Sequence, residues 1–222
     1  MKRKETFYCS KSKKAPYEEI FNSLTHGIGV VLSAIGFIVL IFKANLHPSS
    51  SLNIVSASVY GSSLLLLYMA STMYHACRSP KLKSILKTID HICIYLLIAG
   101  TYTPYALGPL YGSLGWSLFS VVWGLSIVGI FFKVFRKKKT SFLSTLPYLL
   151  MGWLSIIAII PLFRNLSSMG FIWLLAGGIF YSLGTIFYLW KSLPFHHCIW
   201  HLFVLSGSVC HYNSIAFHII SP

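Results

Sequence analysis

NSLTHGIGVVLSAIGFIVLIF, residues 22–42, runs twenty-one positions without one charged side chain. An α-helix needs about 20 predominantly apolar residues to cross the hydrocarbon core of a bilayer. In that core each backbone N–H and C=O must be paired within the structure, so a single apolar run of this length reads as a helix. About nineteen mostly polar residues precede it, which does not suit a cleavable signal peptide. The run is expected to stay in the membrane.

The rest of the chain repeats the pattern. Of 222 residues, 55% are hydrophobic and 10% are charged, whereas a soluble domain carries about 25% charged residues. Mean hydropathy is +0.71. Further apolar runs cover 53–76, 86–107, 113–135, 142–163, 170–190 and 197–219, and Pro104 is expected to kink the third near its far end. Between them lie HPSSS at 47–51, GPLYGS at 108–113 and RNLSSMG at 164–170, which have loop composition. There is no internal repeat. Residues 1–19 read as a basic N-terminal segment and 20–222 as one domain. The expected fold class is an all-α integral membrane protein, a seven-transmembrane helix bundle.

Charge sets its orientation. Lys and Arg number 18 against four acidic residues, a formal net charge of +14. If the seven runs cross in turn, Lys2, Arg3, Lys4, Lys11, Lys13, Lys14, Arg78, Lys81, Lys83, Lys87, Lys133, Arg136, Lys137, Lys138, Lys139 and Lys191 fall on one side. Only Lys43 and Arg164 fall on the other. The positive-inside rule then puts the N-terminus in the cytoplasm and the C-terminus outside, in a cell (plasma) membrane. The runs KSKK and RKKK read as anchors beside anionic headgroups, not as a nucleic-acid surface. Five cysteines, Cys9, Cys77, Cys93, Cys198 and Cys210, contain no CxxC pair and form no disulfide framework.

Polar residues inside the runs carry the chemistry. Asp90 is the only Asp in the chain and sits near the start of the third run; an ionisable group in a span faces the bundle interior and marks a functional site. Ser71 and His75, four apart near the end of the second run, share a helical face. His197 and His201, four apart at the start of the seventh, do the same, at a spacing that suits two imidazoles on one metal. His196 is rotated by about 100° from His197 and is expected to point elsewhere. With alternating direction, His75, Asp90, His197 and His201 all fall one or two turns from the cytoplasmic face. Three imidazoles leave a tetrahedral Zn2+ with an open position, as in catalytic sites. A water there can have its pKa lowered to about 7. Asp90 could orient or deprotonate it, and Ser71 could hydrogen-bond it or a substrate carbonyl.

Other polar residues are assigned lesser roles. Glu18, Glu19, Asn22 and His26 open the first run at the same level, as a helix cap or as the mouth of the site. His211 lies about 15 Å beyond His201 along a helix and is too far to share the metal; a hydrogen bond across the bundle is expected for it. His47 and His218 read as interfacial, and His91 as facing away from Asp90.

The ordered set of Glu18, Asn22, Thr25 and His26, then Ser71 and His75, then Asp90 and His91, then His197 and His201, resembles the hemolysin III proteins. These form the bacterial branch of the adiponectin and progestin receptor family, which looks related to alkaline ceramidases. The resemblance runs from about residue 17 to the end. It implies zinc ligands at His75, His197 and His201, with Asp90 reaching the metal through water and Ser71 beside it. The expected function is a zinc-dependent hydrolase of a membrane lipid amide or ester. The alternative is a non-enzymatic membrane protein, cytolytic or regulating membrane state, with a structural zinc.

Overall fold

The computed structural model describes residues 15–46, 51–135 and 141–220, all helices and short connections. The helices are α1 (Ala15–Leu46), α2 (Ser51–Ala76), α3 (Pro80–Leu107), α4 (Ser113–Phe135), α5 (Ser141–Gly152), α6 (Ile159–Asn165), α7 (Ser168–Leu189) and α8 (His196–His218). A 3-10 segment, Trp153–Ala158, joins α5 to α6, so the described helices make seven rods. The basic residues 2–14 and 136–139, with Cys9 and His47, lie outside the described residues.

Five rods are long and apolar enough to cross a membrane: Tyr17–Leu46, Ser51–Ala76, Ser113–Phe135, Ser144–Asn165 and Ser168–Leu189. Their outward faces are apolar as well. Ile28, Val31, Leu32, Ile35, Ile38 and Phe42 are exposed along α1, while α4 buries Gly115, Leu118, Val122 and Ser126 and exposes Val121, Leu125, Val128 and Phe132. Apolar surface this extensive is not left to water in a soluble monomer, so the molecule is a membrane protein. The other two rods, α3 and α8, have 28 and 23 residues but do not reach the same apolarity. They carry Asp90, His197, His201 and His211, and with them Lys81, Lys83 and Lys87 in α3 and His196, Asn213 and His218 in α8, which together dilute them.

Each of α1, α2 and α3 packs on the next, α8 returns against α1 and α7, and α5 bridges α3 to α7; α4 lies outside, on α3. The ring α1–α2–α3–α5–α7–α8 therefore surrounds an interior. Close approach within it depends on small residues, as is usual between membrane helices. Gly29 of α1 lies flat on the Tyr68 ring of α2, where any Cβ would overlap the ring carbons. Tyr68 cannot move aside easily, because its hydroxyl donates to Ser208 Oγ at 2.8 Å from inside the core.

The fifth rod is broken for a visible reason. Ser155 N–H would ordinarily bond the Met151 carbonyl, but it donates to the Tyr102 hydroxyl at 2.7 Å. That hydroxyl in turn reaches the Met151 and Gly152 carbonyls at 3.0 and 2.7 Å. A side chain inserted into the i→i−4 ladder interrupts it, and the 3-10 turn follows at the insertion. At Pro104, by contrast, α3 continues to Leu107, and Gly108 N–H closes on the Pro104 carbonyl at 3.0 Å.

Candidate metal centre

His75, from the last turn of α2, and His197 and His201, from the first two turns of α8, meet in the bundle. One ring nitrogen from each lies within 4.8 Å of the others, and the three could hold a metal ion. The Nε2 atoms of His75 and His197 are 3.2 Å apart. Two donors on a tetrahedral ion at 2.0–2.1 Å are separated by about 3.3–3.4 Å, so this edge already has the size required. His201 is fully buried and its Nε2 has no partner in the protein. An orphaned imidazole nitrogen facing two others is the arrangement a cation would complete.

The opposite ring nitrogens of His75 and His201 are tied down. His75 Nδ1 lies 3.0 Å from Glu19 Oε2, and Lys83 Nζ donates to the same oxygen at 2.7 Å. His201 Nδ1 lies 3.1 Å from the Asn22 carbonyl. Thr25 Oγ1 is also 3.1 Å from that nitrogen, while its own proton goes to the Phe21 or Asn22 carbonyl. Both Nδ1 positions therefore carry the proton and both Nε2 lone pairs are left for a ligand. A carboxylate or carbonyl behind a histidine fixes its tautomer and raises its basicity in this way. His26 stacks on His201 with ring centroids 3.5 Å apart and planes 15° off parallel, which fixes the ring plane as well.

Glu19 and Asn22 were left between capping and lining by the sequence; their work is to orient the ligating rings. A signal was present: positions 19, 22 and 26 fall at i, i+3 and i+7, one polar stripe on an apolar helix. His196 stands outside the trio, its ring centroid 6.0 Å from that of His197. Phe195, just before it, has φ of 55°, and Glu18 Oε1 accepts its N–H at 3.4 Å. This ties the start of α8 to α1.

Asp90 is buried and faces the trio without belonging to it; its carboxyl is paired with the Ser71 hydroxyl. Both side chains therefore lie at the level of the imidazoles along the bundle. A cavity of about 370 Å³ opens beside them, within the range of small-molecule sites. Asp90, His75 and His197 line it, Ser71 does not, and its walls continue to Thr101, Trp153 and His211. At the mouth stand Glu18, Lys87 and Lys191. Partial burial and the nearby Lys87 charge push the Lys191 ammonium below its ordinary value.

His211 makes no side-chain hydrogen bond across the bundle; the Leu174 carbonyl of α7 approaches its buried ring. His91 also lines the cavity and holds the Lys87 carbonyl at 2.5 Å through Nδ1. His218 Nδ1 meets Ser167 Oγ at 2.8 Å, at the far end of α8.

Comparison with known proteins gives a consistent result. A family model described as haemolysin-III related matches residues 15–212. The chain is 53% identical over 204 residues to the "Hemolysin-3 homolog" of Bacillus subtilis (strain 168), covering 91% of this chain and 95% of that protein. It is 50% identical over 203 residues to "Hemolysin-3" of Bacillus cereus, covering 91% and 92%. The human "Monocyte to macrophage differentiation factor" is 31% identical over 219 residues, covering 91% and 85%.

Proposed function

The chain belongs to the haemolysin-III family, and from that membership and the imidazole cluster we propose that it is a zinc-dependent membrane hydrolase acting on a lipid amide or ester. The observation that carries this reading is the pair of Nε2 atoms 3.2 Å apart, with the His75 ring held from behind by Glu19, beside a carboxylate on a cavity wall. In this reading the chain is one seven-crossing domain, residues 20–222, in the plasma membrane. Its N-terminus is cytoplasmic, its C-terminus is outside, and the site lies near the cytoplasmic face.

A zinc ion, when bound, supplies polarisation of a carbonyl and a more acidic water. His75, His197 and His201 hold it, and Glu19 and the Asn22 carbonyl keep the lone pairs of His75 and His201 aimed inward. Asp90 takes a proton from the attacking water and returns it to the departing nitrogen or oxygen. The water oxygen bonds the carbonyl carbon, the C–N or C–O bond breaks, and a fatty acid and an amine or alcohol leave. Ser71, buried against Asp90, orients its carboxyl. Ser71 is not among the residues that line the cavity, which supports this positioning role beside the expected contact with substrate.

The test uses the full chain in lipid nanodiscs, with N-acyl and O-acyl lipids and free fatty acid as the readout. Wild type releases acid and Asp90→Asn loses about 10²–10⁴-fold, the contribution of a general base. No acid from any lipid, or an unchanged rate in Asp90→Asn, refutes the proposal. The printed name of the Bacillus relatives, "Hemolysin-3", favours a second reading: a non-enzymatic protein, cytolytic or regulating membrane state, with a structural zinc. Leakage of dye-loaded vesicles without any hydrolytic product would support it.

A further inference from the structure

Orientation in a membrane asks for basic residues in the connections between spans. It does not ask for them in the wall of a cavity. Among the described residues two lysines, Lys87 near the start of α3 and Lys191 between α7 and α8, line the cavity beside the imidazole trio. Arg78, Lys81 and Lys83, at the same end of the bundle, do not.

The acidic groups nearby are already engaged. Glu19 meets His75 at 3.0 Å and Lys83 at 2.7 Å. Asp90 is buried against the Ser71 hydroxyl, and Glu18 Oε1 accepts the Phe195 N–H at 3.4 Å. Among the described residues neither Lys87 nor Lys191 is paired with a carboxylate, since both ion pairs run to Glu19.

Lys191 is held in place all the same. Its Nζ donates to the Tyr188 carbonyl at 2.8 Å and lies 4.3 Å from the centre of the Tyr188 ring. An ammonium carries three donors, so two remain for a ligand. The Lys87 charge reaches Lys191, and the Lys133 charge reaches Asp90 and His91 from α4. The mouth is therefore a site of positive potential, and an anion between the two ammoniums removes their mutual repulsion. Compact ammoniums suit phosphate, which they meet as point charges.

The placement also fits a lipid. Lys87 lies three residues before Asp90, about 4.5 Å along the helix axis towards the mouth. On the other side of Asp90 the cavity continues past Ile94, Leu97 and Ile98, an apolar wall for an acyl chain. A lipid with its carbonyl beside Asp90 and its chain along that wall presents its leaving side to Lys87 and Lys191. In an acyl ester of glycerol phosphate the carbonyl carbon and the phosphorus are about 6 Å apart when the linkage is extended, a separation of the same order. We propose that Lys87 and Lys191 form a phosphate-binding subsite at the cavity mouth and that the ligand is an acylated glycerol phosphate. This rests on the lipid-hydrolase reading above for the placement of the carbonyl.

The experiment is isothermal titration of the full chain in uncharged maltoside micelles with three probes that cannot be hydrolysed: ether-linked dodecyl glycerol phosphate, ether-linked dodecyl glycerol and inorganic phosphate. Wild type is expected to bind the phosphate lipid about tenfold tighter than the uncharged lipid, the combined worth of two partly exposed charge pairs, and the margin should shrink as salt is raised. Lys87→Gln combined with Lys191→Gln should bind both lipids alike, with unchanged metal and helical content. Lys87→Arg combined with Lys191→Arg keeps the charge and should keep most of the preference, as should Lys81→Gln, which alters a lysine outside the cavity. Equal affinities for the two lipids in wild type, a preference that survives in the double Gln variant or is insensitive to salt, inorganic phosphate bound as tightly as the phosphate lipid, or no binding of any probe would overturn the proposal. Fatty acid release is measured separately. A phosphate preference in a protein that hydrolyses nothing would sink the hydrolase reading and leave the subsite standing, and hydrolysis without the preference would sink the subsite alone.

Discussion

Replacing Glu19 probes the site without touching a ligating atom. Its carboxylate meets His75 Nδ1 at 3.0 Å and is itself held by Lys83 at 2.7 Å. A partner behind a metal-bound histidine is typically worth 10–100-fold in affinity, or about 1.4–2.7 kcal/mol at 1.36 kcal/mol per decade. The Glu19 side chain is 33% exposed, so solvent screens part of the charge and the neutral isostere should retain much of the effect. Glu19→Gln still accepts from Nδ1–H, so it is expected to lose about tenfold in zinc affinity. Glu19→Ala removes the acceptor and frees the ring to rotate, and should approach a hundredfold loss. Lys83→Ala leaves the carboxylate in place and should cost less than either. The assay is competitive titration of purified protein in detergent against a chromophoric zinc chelator, with helical content followed by circular dichroism. Glu19→Ala binding zinc as tightly as wild type would refute the claim that Glu19 sets the His75 tautomer.

Three further outcomes follow from the packing and the charge pattern. Tyr102→Phe removes the hydroxyl inserted between Ser155 N–H and the Met151 carbonyl, and should destabilise by about 1 kcal/mol, measured by denaturant unfolding in micelles; a loss of nothing would mean the break in the fifth rod has another cause. Gly29→Ala forces a Cβ onto the Tyr68 ring and should cost about 1–3 kcal/mol of overpacking, seen as a lowered thermal midpoint, whereas Gly124→Ala, with open space around it, should not. A single cysteine at Ser192 on a cysteine-free background should react with an impermeant thiol reagent only from the cytoplasmic side; labelling from outside would reverse the proposed orientation.

Much of the site was legible because two periodicities combine. His197 and His201 share a face by helical spacing alone, and the direction of α2 against α8 puts His75 at their level. No tertiary information is needed for that, only seven alternating rods. Asp90 was legible as the only Asp in a run where a carboxylate is costly. Glu19 was not resolved, because a carboxylate in the first turn of a helix is equally a favourable partner of the helix N-terminus. Only the contact with His75 across two helices separates the roles. The break at Trp153 was out of reach for the same reason: its cause, Tyr102, is about fifty positions away. The run 142–163 has nothing in its own composition that fixes a 3-10 turn there. For His211 the general rule that buried polar groups find partners pointed across the bundle, and the group that approaches its ring from α7 is the Leu174 carbonyl, a main-chain atom that side-chain patterning does not reveal. The apolarity of α3 and α8 also differs from the uniform picture of seven runs, since site residues and others such as Lys81, Lys83, Lys87 and Asn213 together thin out the hydrophobicity of these helices.

The most direct test of the account is the metal content of purified full-length protein by elemental mass spectrometry, with wild type beside the double variant His197→Ala, His201→Ala. About one zinc per chain in wild type, and none retained by the double variant with its helical content intact, is the predicted result for a site with three imidazole ligands. Wild type without a transition metal, or a double variant that keeps its zinc, would contradict it.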